Sequence, residues 1–157
     1  MKKKILYSLF LLVFLFGVTA CGNSSKDSTF TMECTTPSEK TESMERQNVI
    51  VYNFDKDQYT TGYTITTTQK FTTKELYEEY KKAQEETEKN QGTENVTYHL
   101  EADDNAMTLK FVMTLKNLDI EAEKSSKDSF RASAIKKSNE GYGATCVLKG
   151  IDIEKLK

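Results

Sequence analysis

Residues 59–83 read YTTGYTITTTQKFTTKELYEEYKKA, and the change of period inside them decides the fold. From Tyr59 to Phe71 the odd positions carry Tyr59, Tyr63, Ile65 and Phe71. The even positions are Thr60, Gly62, Thr64, Thr66, Thr68 and Lys70. A period of two with one apolar and one threonine-rich side describes a strand with a buried face and a wet face. After Phe71 the period becomes helical. Leu76, Tyr80 and Ala83 fall at i, i+4 and i+7 and define one narrow apolar stripe, while Glu78, Glu79, Lys81, Lys82, Glu85 and Glu86 are left for solvent. Thr72 is expected to cap this helix with Glu75 completing a capping box, Phe71 and Leu76 fit a hydrophobic staple, and Gln91-Gly92 ends it.

Outward from this stretch the alternation recurs on both sides. Upstream, Ile50, Tyr52 and Phe54 share a face of a strand over Val49 to Phe54, and Asp55-Lys56-Asp57-Gln58 reads as a hairpin turn. Phe30, Met32 and Cys34 mark an earlier strand that ends before Pro37. Downstream, Val96, Tyr98, Leu100 and Ala102 alternate with Thr97, His99 and Glu101. Asp103-Asp104-Asn105 is a second turn, and Met107, Leu109, Phe111, Met113 and Leu115 form the next apolar side. A weaker helix is expected from about Lys127 to Asn139, with Ser125 or Ser126 as its cap, Phe130 and Ile135 inward and Gly141 as its stop. Thr145 to Leu148 is a candidate returning strand. Strands grouped around helices without βα alternation predict an α+β fold: an antiparallel sheet of about five strands with one main helix and a short C-terminal helix on one face.

Ahead of this domain lies a leader. Lys2-Lys3-Lys4 is a basic start, and Ile5 to Phe16 (ILYSLFLLVFLF) is an apolar run too short to span a bilayer comfortably. Val18-Thr19-Ala20-Cys21 follows, with an apolar residue, two small residues and a cysteine in the order read by the bacterial lipoprotein pathway. The chemistry needs these types: the thiol takes diacylglycerol as a thioether, and small side chains fit the peptidase cleft. Residues 1–20 are therefore expected to be a cleaved signal peptide and Cys21 the lipidated residue. Residues 21–28 are then a flexible tether and 29–157 a single domain. Acyl chains contribute about 0.8 kcal/mol per buried methylene, so the expected partner is the membrane, through the lipid on Cys21, at the outer side of the cell membrane.

Charge narrows the function classes. The whole chain has 22 basic and 24 acidic residues, and the three lysines of the leader are its only charges before Cys21, leaving 19 against 24 and a formal net of −5. Such a surface does not displace counterions from phosphate, so nucleic acid is not an expected partner, and no polybasic segment holds an anionic membrane. Cys34 and Cys146 remain as an even pair in an oxidising compartment and are expected to be bridged; two unrelated small apolar residues are the alternative. They do not make a zinc ligand set with a single histidine.

No residue cluster reads as catalytic. His99, the only histidine, sits on the polar side of its strand, where a solvated residue is a sufficient account against a general base. Asp103/Asp104 belong to a turn and Glu85/Glu86 to a helix surface. Asp55-Lys56-Asp57 lacks the glycine and closing glutamate of a calcium loop, and Gly141-Tyr142-Gly143 lacks the Lys-Ser/Thr of a phosphate loop. Thr60, Thr64, Thr66, Thr68, Thr97, Thr108 and Thr114 would share the wet sheet face, either as a flat surface for a glycan or an envelope partner or as ordinary strand residues. Met107, Met113 and the tyrosines raise a carrier of a small apolar ligand between sheet and helices, against plain core packing.

Taken with the leader, the strand Val49 to Phe54, the helix from Thr73 to Lys89, Glu94-Asn95-Val96-Thr97-Tyr98 and the ending Gly141-Tyr142-Gly143-Ala144-Thr145-Cys146 make the chain resemble the YehR-like small bacterial lipoproteins, over about Phe30 to Ile151. The resemblance implies a lipoprotein, an α+β fold and a domain of no assigned activity, and it transfers no site residue except Cys21. The expectation is a lipid-anchored, non-enzymatic binding or envelope-interaction domain without a cofactor or metal. The rival is a small envelope enzyme or enzyme inhibitor with a site assembled from distant residues.

Overall fold

The computed structural model describes residues 29–119 and 127–156. The leader, Cys21, the tether up to Ser28, and Ser125 and Ser126 lie outside these residues. The described elements are β1 (Phe30–Thr35), β2 (Glu39–Lys40), β3 (Met44–Phe54), β4 (Thr60–Phe71), α1 (Lys74–Asn90), β5 (Val96–Asp103), β6 (Thr108–Leu115), α2 (Ala132–Gly141) and β7 (Thr145–Lys149), with 3-10 turns at Lys127–Phe130 and Ile153–Lys155. The strands form one antiparallel sheet in the order β5-β6-β4-β3-β1-β7, with β2 lying on β3. The fold class is the expected α+β.

The strand count is larger than expected, seven among the described residues against about five. β2 is only the dipeptide Glu39-Lys40, too short for any alternation to show, and β7 closes on β1 through residues that read only as a candidate strand. β3 also begins at Met44 rather than Val49. Glu45, Arg46, Gln47 and Asn48 are all polar, so the pleat continues through them without a hydrophobic period to reveal it.

Register carries one apolar face across the whole sheet. Cys146, Cys34, Ile50, Ile65, Met113 and Tyr98 are successive cross-strand partners in one row, and Leu148, Met32, Tyr52, Tyr63, Leu115 and Val96 form the row beside it. Both helices lie on this face. α2 packs Ala132 and Ile135 against Phe30, Met32, Cys34 and Phe54. α1 packs Tyr77 against Phe71 and Leu109. A third cluster joins Tyr59, Leu115 and Leu118 with Phe130 beside them. Phe30 stacks on Phe54 with ring centroids 4.9 Å apart, an offset contact suited to the ring quadrupoles.

Four local expectations are corrected. Thr73, not Thr72, caps α1: its Oγ1 accepts from the Leu76 amide, while the Thr72 hydroxyl donates to the Glu42 and Ser43 carbonyls. The buried residue of α1 is then Tyr77, and Ala83 is not among its buried positions. Leu76 and Tyr80 of the expected stripe pack beside Tyr77 against Phe71 and Leu109, so the buried face is rotated to take in Tyr77 and leave Ala83 out. The expected second helix is split, because the Gln58 carbonyl takes the Ala132 amide at 2.9 Å and Arg131 bridges to Tyr59, interrupting helical bonding between the 3-10 turn and α2. Finally, Met107 lies at φ 48° in the β5–β6 turn, and β6 starts at Thr108.

Candidate functional site

Cys21, the lipidation site expected from the sequence, lies outside the described residues. Cys34 and Cys146 are direct cross-strand partners on β1 and β7, their Cα atoms 4.1 Å apart and their sulfurs bonded at 2.06 Å. Register alone brings the two thiols together across a separation of 112 residues, beneath α2 in the apolar cluster.

The polar residues weighed as catalytic are distributed as structural ties. His99 stands at the outer edge of β5 with its side chain 64% exposed, and its Nδ1 lies 3.0 Å from a Glu88 oxygen of α1. The same oxygen accepts from the Leu100 amide at 3.3 Å, so Glu88 satisfies a donor of the sheet's edge strand. His99 thus does have a carboxylate neighbour, but on an open edge rather than in a buried pocket. Asp104 receives the Tyr77 hydroxyl at 2.5 Å and the Lys81 ammonium at 2.7 Å. Burial, then the Asp104 bond, pushes the Tyr77 phenol up to about 12. The hydrogen bond to Lys81, then that to Tyr77, holds Asp104 below the usual carboxylate range, and the bond to Asp104 raises Lys81. This triad ties α1 to the β5–β6 turn.

Asp55 is buried and accepts from the Asp57 and Tyr59 amides, an Asx-type turn rather than a calcium loop. Gly143 takes φ 81° just after α2, a conformation open to glycine without strain. Glu85 and Glu86 lie on α1. Among the described residues no three His, Cys, Asp or Glu side chains stand close enough to share a metal ion.

Six of the seven threonines named from the sequence do share the outer sheet face: Thr64 pairs with Thr114, Thr114 with Thr97, and Thr66, Thr68 and Thr108 continue the same parity. The Thr64 and Thr114 hydroxyls are 3.2 Å apart. Val51, Val112 and the half-exposed Val147 lie among them, and no described helix packs on this face. Thr60 is the exception. A bulge between Asn53 and Phe54 places it opposite Phe54, where it is buried and its hydroxyl donates to the Gly62 carbonyl. One extra residue in a strand reverses the parity of everything beyond it.

On the inner face the two helices leave a strip between them. Ile50, Ile65, Met113 and Tyr98 form its middle row, and Phe111 stacks on Tyr98 at 5.7 Å. Ile50, Ile65, Met113 and Phe111 are each half-buried. On the α2 side are Tyr52 and Tyr63, ring centroids 6.0 Å apart, with the Asn139 amide donating to the Tyr52 hydroxyl at 3.2 Å. Burial raises both phenols, and for Tyr63 the neighbouring Tyr52 and Tyr98 raise it further. On the α1 side the strip turns polar. Asn48 accepts from Thr67, and Gln84 of α1 donates to Gln69 at 2.7 Å. Among the described residues the buried Nε of Arg46, the register partner of Gln69, has no hydrogen-bond partner, and neither does the buried Gln84 Oε1. Neither Arg46 nor Gln84 is visible as a site residue in the sequence. Extending the parity of Ile50, Tyr52 and Phe54 backwards through Asn48 to Arg46 is the one signal that places the arginine on the inner face.

No known protein family matches the chain, and no curated protein does. One solved structure with a similar chain is the NMR structure of a protein from Streptococcus pneumoniae TIGR4, with a TM-score of 0.44 and 15% identity, covering 81% of this chain and 90% of that one.

Proposed function

We propose that this protein is a lipid-anchored extracytoplasmic binding domain, held at the outer side of the cell membrane through Cys21 and acting without catalysis of its own. The observation that carries the reading is the ordered leader: Lys2-Lys3-Lys4, the apolar run to Phe16, and Val18-Thr19-Ala20-Cys21 directly after it. The Cys34–Cys146 bridge supports it, because structural disulfides persist in oxidising compartments. A binding role is supported by a sheet with an open threonine–valine face and a helix-flanked strip on the other side, while the histidine and acidic pairs serve turns and edges. The resemblance to YehR-like lipoproteins belongs to the same reading.

Intact mass of the protein extracted from its own membranes, before and after lipase, tests the anchor. The expected mass is Cys21 to Lys157 plus diacylglycerol. An unlipidated chain, or Cys21→Ala leaving membrane fractionation and processing unchanged, rules the anchor out. The enzyme reading is favoured instead if His99→Ala abolishes a hydrolytic activity of the intact protein.

A further inference from the structure

We propose that the strip between α1 and α2 binds a small amphipathic carboxylate, with the Arg46 guanidinium taking the anionic head and Ile50, Ile65, Met113 and Phe111 lying along an acyl-chain body. This deepens the binding-domain reading and rests on it. The floor is apolar and only half-covered, although both ends of the same sheet face are closed by helices. A half-covered row of isoleucine, methionine and aromatic side chains, with Asn48, Thr67 and Gln69 on its α1 side, has the composition of a small-molecule site.

The head group is indicated by charge. Arg46 makes no ion pair among the described residues, and its buried Nε has no partner there. Its register partner on β2, Glu39, is exposed and does not close a salt bridge with it. A buried donor left unmade is costly, more so for a charged group, so an occupant that supplies an anionic acceptor there is favoured over an uncharged one. A planar fork of donors matches a carboxylate in particular. The Gln84 Oε1 is a second buried atom without a partner among the described residues, on a side chain whose amide donates to Gln69, the register partner of Arg46. Arg46 and Ile50 lie four residues apart on β3, about 13 Å along the strand, so a long-chain carboxylate with its head at Arg46 reaches the cross-strand row of Ile50, Ile65 and Met113.

The probe is cis-parinaric acid, a fluorescent long-chain carboxylate, titrated into the mature chain from Cys21 to Lys157 carrying Cys21→Ala, which keeps every described residue and removes the protein's own lipid. Saturable binding is expected, weakened about tenfold or more by Arg46→Gln, less by Arg46→Lys, and unaffected by Thr66→Lys on the opposite face. The methyl ester of the same probe should bind the chain with Arg46 intact about as weakly as the acid binds Arg46→Gln. Absence of saturable binding, equal binding of acid and ester, or loss on Thr66→Lys in place of Arg46→Gln each overturns the assignment. Because the ester comparison keeps Arg46, a folding defect in a strip variant does not rescue the proposal. Failure here leaves the lipid mass of Cys21 untouched, so the two readings fall separately.

Discussion

The two helices pack apolar side chains on the same sheet face and reinforce that packing differently. At the α2 end the contacts are apolar and covalent: Phe30, Met32 and Phe54 pack beneath Ala132 and Ile135, and Cys34 is bonded to Cys146. At the α1 end Tyr77 packs on Phe71 and Leu109 without any covalent link, and polar ties add to it: Tyr77 and Lys81 to Asp104, Gln84 to Gln69, and Glu88 to Leu100 and His99. Apolar burial and a covalent link respond to cavity and reductant, whereas ion pairs and hydrogen bonds to charge respond to pH and salt. The strip between them is where neither mode of closure reaches.

The contrast makes graded predictions. Phe54→Ala should be the most damaging, about 3–5 kcal/mol in chemical denaturation, because it leaves a cavity under α2 at a fully buried site. Replacing Cys34 and Cys146 together by alanine should lower stability by about 2–4 kcal/mol, with a matching loss in the native chain under reductant. If reductant leaves the melting temperature unchanged, the covalent half of the comparison fails.

Tyr77→Phe should be milder, about 1 kcal/mol, since it removes one hydrogen bond and keeps the ring. Its diagnostic is pH. The folded value of Tyr77 is raised to about 12 from an ordinary 10.0, so its contribution is complete below pH 10 and is lost as the pH climbs toward 12. Asp104 is shifted the other way, so its contribution is present above the ordinary value of 3.8 and disappears as the pH falls below it. Stability measured across both limbs should flatten in Tyr77→Phe on the alkaline side; an unchanged alkaline limb would mean that the triad does not hold α1. Smallest of all, Glu101→Ala should change stability by less than about 1 kcal/mol, because its pair with Lys110 is exposed on both sides.

Much of the frame is legible in the sequence. The alternation of Tyr59 to Phe71 and Met107 to Leu115 is a local property of strands half in water, and it points to an antiparallel sheet with helices on one side. The hairpin at Asp55–Gln58 is likewise visible, since aspartate closes such a turn with its own side chain. β2 and the first half of β3 are not, because Glu39-Lys40 and Glu45 to Asn48 carry no hydrophobic contrast. Nor is the candidate strip: Arg46 looks like any surface arginine until β3 is extended back to Met44.

The type and order of the main elements, the leader pattern ending at Cys21 and the acidic balance all follow from residues close together in the chain, and the sequence carries them unaided. Other features exist only once the chain is folded. Thr60 turns inward at a bulge, Tyr77 rather than Ala83 faces the sheet, Cys34 meets Cys146, and the Arg46 Nε is left without a partner among the described residues. Each of these depends on register or helix rotation, which are settled by side chains far apart in the chain competing for the same face.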